Sequence, residues 1–187
     1  MNITLLHAAT RNPVPWRNGG GTTREVACHP PGAGIDAFIW RASMAQVEQA
    51  GPFSHFPGID RILTILSGTL SLQVQNAATI NLTAASPPHA FPGDIPCLGT
   101  PLGGAVTDLN VMTKRGHETA TVARTAGMLW YLPSQTCLVF ALAHCSVQHE
   151  GVDYWLERHD ALLLEDAGRS AVRVGAAALL ISIDVRE

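Results

Sequence analysis

Charged residues are scarce in this sequence of 187 residues, in which Asp, Glu, Lys and Arg make up only 14%. The twelve basic residues are scattered and are outnumbered by fifteen acidic ones, which gives a formal net charge of −3. A protein that binds a nucleic-acid backbone needs clustered Lys and Arg to neutralise phosphates. We therefore expect no nucleic-acid partner. Hydrophobic residues reach 47%, which argues against a disordered or fibrous chain.

Long apolar runs are also missing from the sequence. The longest, such as residues 176–181, fall far short of the ~20 residues that a transmembrane helix needs. No Lys or Arg precedes Arg11, and the apolar stretch at residues 3–6 is short, so we expect no secretory signal. These absences predict a cytoplasmic protein without a membrane partner.

Cysteine is rare, and neither cysteine nor histidine falls into a known ligand pattern. The four cysteines lie at positions 28, 97, 137 and 145 with no C-x-x-C pair, which is typical of reduced thiols. The eight histidines form no H-x-H or H-E-x-x-H pattern, and no G-x-S-x-G nucleophile motif occurs. We therefore expect no metal, no cofactor and no catalytic nucleophile.

What the sequence does contain is a series of short strands. Its 17 glycines and 12 prolines interrupt the chain at short intervals and leave little room for helices. The segments between them are rich in β-branched, Leu and aromatic residues. We predict strands at residues 37–45, 61–66, 69–74, 79–82, 107–113, 137–147, 161–165 and 178–185. Many short strands at roughly even spacing indicate an all-β barrel or sandwich.

Residues 62–74 have the pattern of a β-hairpin that turns at Gly68. In its second arm Leu70, Leu72 and Val74 alternate with polar residues, so we expect these three side chains to point inward.

Two β-rich halves, residues 1–115 and 116–187, are predicted on either side of a boundary near residues 114–126. That segment is polar, charged and poor in strand signal. No residue-level repeat relates the halves, and an exchange of terminal strands between them is left open.

The strongest local motif is Pro15-Trp16-Arg17-Asn18-Gly19-Gly20-Gly21-Thr22. Consecutive glycines can adopt positive φ and let a ligand or another strand approach the backbone closely. Trp16, Arg17 and Asn18 beside them offer a flat apolar surface, a bidentate anion clamp and an amide. A glycine-rich turn with a solvated Arg17 fits the spacing about equally well.

Two predicted strands carry polar residues at alternate positions. Arg41 and Ser43 share one face of residues 37–45, and Asp108 and Asn110 share one face of residues 107–113. Inside a barrel these side chains would form a polar pocket wall, because buried polar groups are costly unless they are hydrogen-bonded or used. On a solvent-exposed face they would carry no function, which for any single strand is the more common case.

A third polar segment, residues 51–61, places His55 and Phe56 shortly before Asp60 and Arg61 at a strand entrance. This arrangement could bind a carboxylate through Arg61. A tight turn stabilised by Asp60, with His55 merely solvated, is the alternative.

In combination, these segments resemble the HutD/Ves family of the RmlC-like cupin superfamily. The resemblance rests on five segments in this order: residues 15–22, residues 40–45, residues 51–61, Phe91-Pro92-Gly93-Asp94 and residues 108–112. It implies a bicupin, with two cupin-like β-barrel halves in one bacterial cytoplasmic chain. It also implies a sensing or regulatory role, in histidine utilisation for HutD-like members or in a stress response for Ves-like members.

The cupin resemblance also bears on metal binding. The four ligand positions of metal-binding cupins, three His and one Glu, align here with His55, Pro57, Pro96 and Arg61. Only His55 keeps a ligand residue. A guanidinium in place of the carboxylate repels a divalent cation and attracts an anion, so the resemblance implies an organic-anion site.

We therefore predict a non-catalytic protein that binds a small carboxylate metabolite in its N-terminal barrel, with Arg61 as the anchor. The other predicted ligand-binding residues are His55, Arg17, Asn18, Arg41, Ser43, Trp16, Phe56, Asp108 and Asn110. An enzyme is the alternative, an isomerase or hydrolase of a small organic acid with His55 or Asp60 as acid or base. A protein-interaction role with a vestigial pocket is a third hypothesis, and a homodimer is left open.

Overall fold

The computed structural model describes residues 1–16, 18–132, 135–167 and 170–185. Within these residues the regular structure is nineteen β-strands and one three-residue 3-10 helix at Ala8–Thr10. The predicted all-β class is confirmed. In chain order the strands are β1 (Asn2–Leu6), β2 (Val14–Pro15), β3 (Gly21–His29), β4 (Trp40–Val47), β5 (Gly51–Pro52), β6 (Ile59–Ser67), β7 (Thr69–Val74), β8 (Ile80–Thr83), β9 (His89–Pro92), β10 (Cys97–Pro101), β11 (Val106–Lys114), β12 (Glu118–Thr125), β13 (Met128–Tyr131), β14 (Thr136–Ala141), β15 (Cys145–His149), β16 (Val152–Leu156), β17 (Ala161–Glu165), β18 (Ala171–Val174) and β19 (Ala178–Val185).

The chain divides into two compact units. The first is Asn12–His117, and the second combines Met1–Arg11 with Glu118–Glu187. The first unit contains an antiparallel six-stranded sheet in the order β2-β3-β4-β11-β6-β9 and a four-stranded sheet in the order β5-β10-β7-β8. Both sheets contribute buried residues to one apolar core, among them Leu63 on β6, Leu70 on β7 and Val106 on β11.

The strand faces that build this core also determine which polar residues point inward. Side chains two residues apart on a strand share a face. Arg61 therefore lies on the same face of β6 as the core residue Leu63, and Asp108 on the same face of β11 as the core residue Val106. Beyond the core, this inward face carries polar groups.

The predicted hairpin at residues 62–74 is wrong, because its two arms belong to different sheets. β6 pairs with β11 and β9, whereas β7 pairs with β10 and β8. Gly68 forms the corner between them at φ +82°, where a Cβ would lie 2.9 Å from the Ala105 carbonyl oxygen. Only glycine fits such a corner without strain. The predicted alternation on β7 is confirmed, since Leu70 and Leu72 are fully buried.

The second unit also contains two antiparallel sheets, in the orders β1-β17-β14-β19-β12 and β13-β18-β15-β16. Its core includes Val139, Val147 and Leu162. Two predictions are wrong here. The single strand predicted at residues 137–147 is two strands, β14 and β15, and the segment called poor in strand signal contains β12, which pairs with β19 along its whole length.

The described part of the chain contains no helix long and apolar enough to cross a membrane.

Candidate functional site

A cavity of about 800 Å³ opens in the unit of residues 12–117. This volume lies in the range of small-molecule sites. Nine of the ten predicted site residues line it: Trp16, Asn18, Arg41, Ser43, His55, Phe56, Arg61, Asp108 and Asn110. The tenth, Arg17, lies outside the described residues. That these side chains bind a ligand stays a prediction.

Arg61 is the most deeply buried cation of this cavity, with 6% of its surface exposed. Its Nη2 and Nε donate to the Asn110 side-chain oxygen at 2.7 and 3.3 Å, and its Nη1 donates to the Ser54 carbonyl at 3.5 Å. A guanidinium has five N–H donors. Among the described residues, these bonds leave one N–H on each terminal nitrogen of Arg61 without a protein acceptor.

Three phenylalanine rings surround the Arg61 guanidinium. Its central carbon lies 5.0 Å from the Phe53 ring centre, 5.1 Å from that of Phe91 and 5.7 Å from that of Phe56. Cation–π attraction to these rings offsets part of the cost of burying the charge. Of these rings only Phe56 is among the predicted site residues. Phe91 belongs to the Phe91-Pro92-Gly93-Asp94 segment of the predicted resemblance, but its contact with Arg61 depends on the pairing of β9 with β6 and was not predicted.

Asn110 connects Arg61 to a buried carboxyl group. The Asn110 amide nitrogen donates to Asp108 Oδ1 at 2.8 Å, while its oxygen accepts from Arg61. Asp108 is fully buried, and burial raises its pKa to about 7, although the positive charge of Arg61 acts in the opposite direction. Arg61 and Asp108 are thus connected only indirectly, through a neutral amide.

Arg41, a predicted ligand-binding residue, is held by Glu25, which was not among the predicted site residues. Its Nε donates to Glu25 Oε2 at 2.8 Å. Glu25 lies on β3 opposite Ser43 of β4, next to a register shift between Glu25 and Ala27. This bulge could not be read from the sequence. Because Arg41 already has an anionic partner, Arg61 is the cation better placed to receive a ligand.

An exposed arginine fixes the loop that carries Phe53, His55 and Phe56. Arg115 donates to Asp60 at 2.8 Å and to Asp94 at 2.8 Å, and it lowers the pKa of Asp94 to about 2. Asp94 in turn accepts from the Gly58 backbone N–H at 3.3 Å, and its carbonyl lies 3.0 Å from His55 Nε2. Asp60 is thereby engaged by Arg115, outside the lining of the cavity.

The glycine motif forms the turn between β2 and β3 beside the cavity. Gly19 has φ +68°, and the Asn18 side-chain oxygen accepts from the Gly20 N–H at 3.0 Å. At Gly21 the close neighbour is another strand, because a Cβ there would lie 2.2 Å from the Gln46 carbonyl oxygen of β4. Among the described residues this motif thus serves strand pairing, and Trp16 and Asn18 are placed at the cavity as a result.

Gly21→Ala is expected to destabilise the protein by about 1–3 kcal/mol, because overpacking at a backbone contact forces β3 and β4 apart. Gly34→Ala is the matched control, since a Cβ there meets no atom within 4 Å, and it should change stability by less than about 0.5 kcal/mol. Urea unfolding measures both. Equal stabilities of the two variants would contradict this account of Gly21.

No group of three His, Cys, Asp or Glu side chains that could hold a metal ion occurs in the described ranges. The expectation that the protein binds no metal stays a prediction.

The fold and cavity define an all-β protein of the cupin-like class, and the oxalate decarboxylase of Lactobacillus farciminis, 8% identical at a TM-score of 0.68, shares this fold. The family model described as HutD matches residues 8–181. The chain belongs to the HutD family, and the predicted resemblance is confirmed.

Individual relatives agree with this assignment. Protein Ves of Citrobacter koseri is 42% identical over 109 residues, which cover 57% of this chain and 56% of that protein. An uncharacterized 21.2 kDa protein in the hutC 3' region of Pseudomonas putida is 34% identical over 167 residues, 87% of each chain. The structure of HutD from Pseudomonas fluorescens SBW25 is 30% identical, with a TM-score of 0.88 over the full length of both chains.

Proposed function

We propose that this protein binds a small carboxylate metabolite in the cavity of residues 12–117, without catalysis, and that it acts as a sensor. The observation that carries the proposal is Arg61. Its guanidinium is buried, and among the described residues it donates only to the Asn110 amide oxygen and the Ser54 carbonyl, which leaves one N–H on each terminal nitrogen without an acceptor. A buried cation is costly unless it is paired. A carboxylate that bridges the two terminal nitrogens supplies that pairing in bidentate geometry.

The charges of the cavity favour one anionic group per ligand. Among the described lining residues the other guanidinium, Arg41, is already neutralised by Glu25. Arg61 has no carboxylate in direct contact among the described residues, and its single positive charge balances a carboxylate but leaves a phosphate dianion undercompensated. The aromatic rings of Phe53, Phe56 and Trp16 provide apolar surface for the rest of a small metabolite.

A relative supports a role in histidine utilisation, which the resemblance to the family implies. The Pseudomonas putida relative lies in the hutC 3' region, and the Pseudomonas fluorescens HutD structure was determined in a formate condition, formate being the smallest carboxylate. We further propose that the two units are the two halves of a bicupin. A cytoplasmic setting in a bacterium and a homodimer stay predictions.

A thermal-shift screen tests the proposal. Acetate, butyrate, benzoate, succinate and glutarate are each compared with the primary amide of the same shape. We expect at least one carboxylate to stabilise the protein by about 2.7 kcal/mol at 100 times its Kd, because ligand binding to the folded state adds RT ln(1 + [L]/Kd). The matching amide should have little effect. Equal shifts with acid and amide, or no shift with any carboxylate, would contradict the proposal.

A further inference from the structure

The cavity contains a second buried ionisable group that carboxylate binding by Arg61 does not by itself use. Asp108 has no exposed surface, and its Oδ1 accepts from Asn110 at 2.8 Å. Its Oδ2 is buried without a hydrogen-bond partner among the described residues. A buried ionised carboxylate oxygen without a donor is strongly unfavourable. The same oxygen carrying a proton would belong to a neutral carboxyl group, which is much less costly to bury.

The charge balance changes when an anion enters. Without ligand and above neutral pH, where Asp108 loses its proton, the charges of Arg61 and Asp108 face each other across the neutral Asn110 amide without direct contact. An added carboxylate on Arg61 would give two anions for one cation beside the buried side chains of Arg61 and Asp108. Two carboxylates that share such a site do not both stay ionised, and one takes up a proton.

We propose that binding of a carboxylate at Arg61 is coupled to the uptake of one proton from solvent by Asp108, so that the protein senses the anion and the proton together. This inference rests on the proposed function. Asp108 is then a neutral acid in the complex, and the proton occupies the carboxyl group whose Oδ2 has no hydrogen-bond partner among the described residues. Because burial already raises the pKa of Asp108 to about 7 in the empty protein, the coupling acts above neutral pH.

Other titratable groups face the cavity or Arg61 from the neighbouring elements. They are Arg41 on β4, Glu25 on β3, Asp36 and His55 on connecting segments, and Cys97 on β10. Arg41 and Glu25 neutralise each other. Burial raises the pKa of the Cys97 thiol, which keeps it uncharged near neutral pH. Asp36 is exposed, so Asp36→Asn is the matched control for the removal of a negative charge from the cavity lining. The variant His55→Gln measures how much His55 contributes to the pH dependence of binding.

Calorimetric titration of the full chain tests the coupling. The probe is the carboxylate with the largest effect in the panel of acetate, butyrate, benzoate, succinate and glutarate. We expect its Kd to be nearly constant below about pH 7 and to rise by up to about tenfold per pH unit above it. Titrations in two buffers of different ionisation enthalpy should show uptake of about one proton per bound probe above neutral pH.

Asp108→Asn keeps the acceptor for Asn110 and mimics the neutral acid. It should bind the probe with a Kd that no longer depends on pH, whereas Asp36→Asn and His55→Gln should retain the dependence of the wild type. If Asp108→Asn does not fold, the proton uptake measured for the wild-type protein in the two buffers tests the coupling by itself. Binding of the probe without pH dependence or proton uptake would overturn the coupling and leave the proposed function intact. Equal loss of pH dependence in Asp36→Asn would overturn the assignment to Asp108, and absence of binding at every pH would overturn both proposals.

Discussion

Arg61→Ala is expected to weaken carboxylate binding by at least about 30-fold, the equivalent of about 2 kcal/mol. Removal of the buried guanidinium takes away both hydrogen bonds to the carboxylate and leaves the negative charge of the carboxylate uncompensated. Arg61→Lys should also bind poorly, because a point charge cannot replace the bidentate fork and cannot stack on the rings of Phe53 and Phe91 in the same way. Calorimetry with the tightest carboxylate of the panel measures both variants.

Two further variants keep this test independent of folding. Arg61→Met fills the space among the phenylalanine rings without a charge, so it should stay folded by circular dichroism and still fail to bind. Lys114→Ala removes one positive charge from an exposed position of β11 and should bind as the wild type does. Normal binding by Arg61→Met, or equal losses in Arg61→Met and Lys114→Ala, would contradict the role of Arg61.

Leu72→Ala is expected to lower the free energy of unfolding by about 2–5 kcal/mol, because it removes a fully buried side chain and leaves a cavity. Gln73→Ala is the control on the same strand, since Gln73 is exposed and its replacement should cost less than about 0.5 kcal/mol. Urea unfolding measures the difference. A loss below about 1 kcal/mol for Leu72→Ala would contradict the packing of β7 against the core of its unit.

Features that depend on local pattern could be predicted from the sequence. Alternation along β7 identified the buried face, and glycine and proline spacing identified an all-β chain. The polar faces of Arg41 with Ser43 and of Asp108 with Asn110 were recognised in the same way, and the structure places both faces at the cavity.

Features that depend on strand pairing could not be predicted in this way. Gly68 was interpreted as a hairpin turn, because a tight turn between two strands has the same local pattern whether the strands pair or separate into two sheets. The contact of Arg61 with Asn110 requires β6 to lie beside β11, about fifty positions later in the chain, which local sequence does not encode. Glu25 reaches Arg41 next to a bulge, and bulges carry no clear signal in one sequence.

The ion pairs of Arg115 with Asp60 and Asp94 were not predicted, for a related reason. Arg115 lies within the segment that was predicted as a domain boundary, where a charged residue is expected to be solvated. Its partners are 55 and 21 positions away in sequence. Surface ion pairs of this kind carry no periodic pattern, so only the structure brings the three side chains together.

The most direct test of carboxylate binding at Arg61 is an NMR titration of the protein labelled with 15N in its arginine side chains. The Arg61 Nε–H signal is assigned by its absence from the spectrum of Arg61→Lys. Addition of the tightest carboxylate should move this signal along a saturable curve with the Kd found by calorimetry, while the corresponding amide leaves it in place. Saturable binding of the carboxylate with an unmoved Arg61 signal would contradict the account.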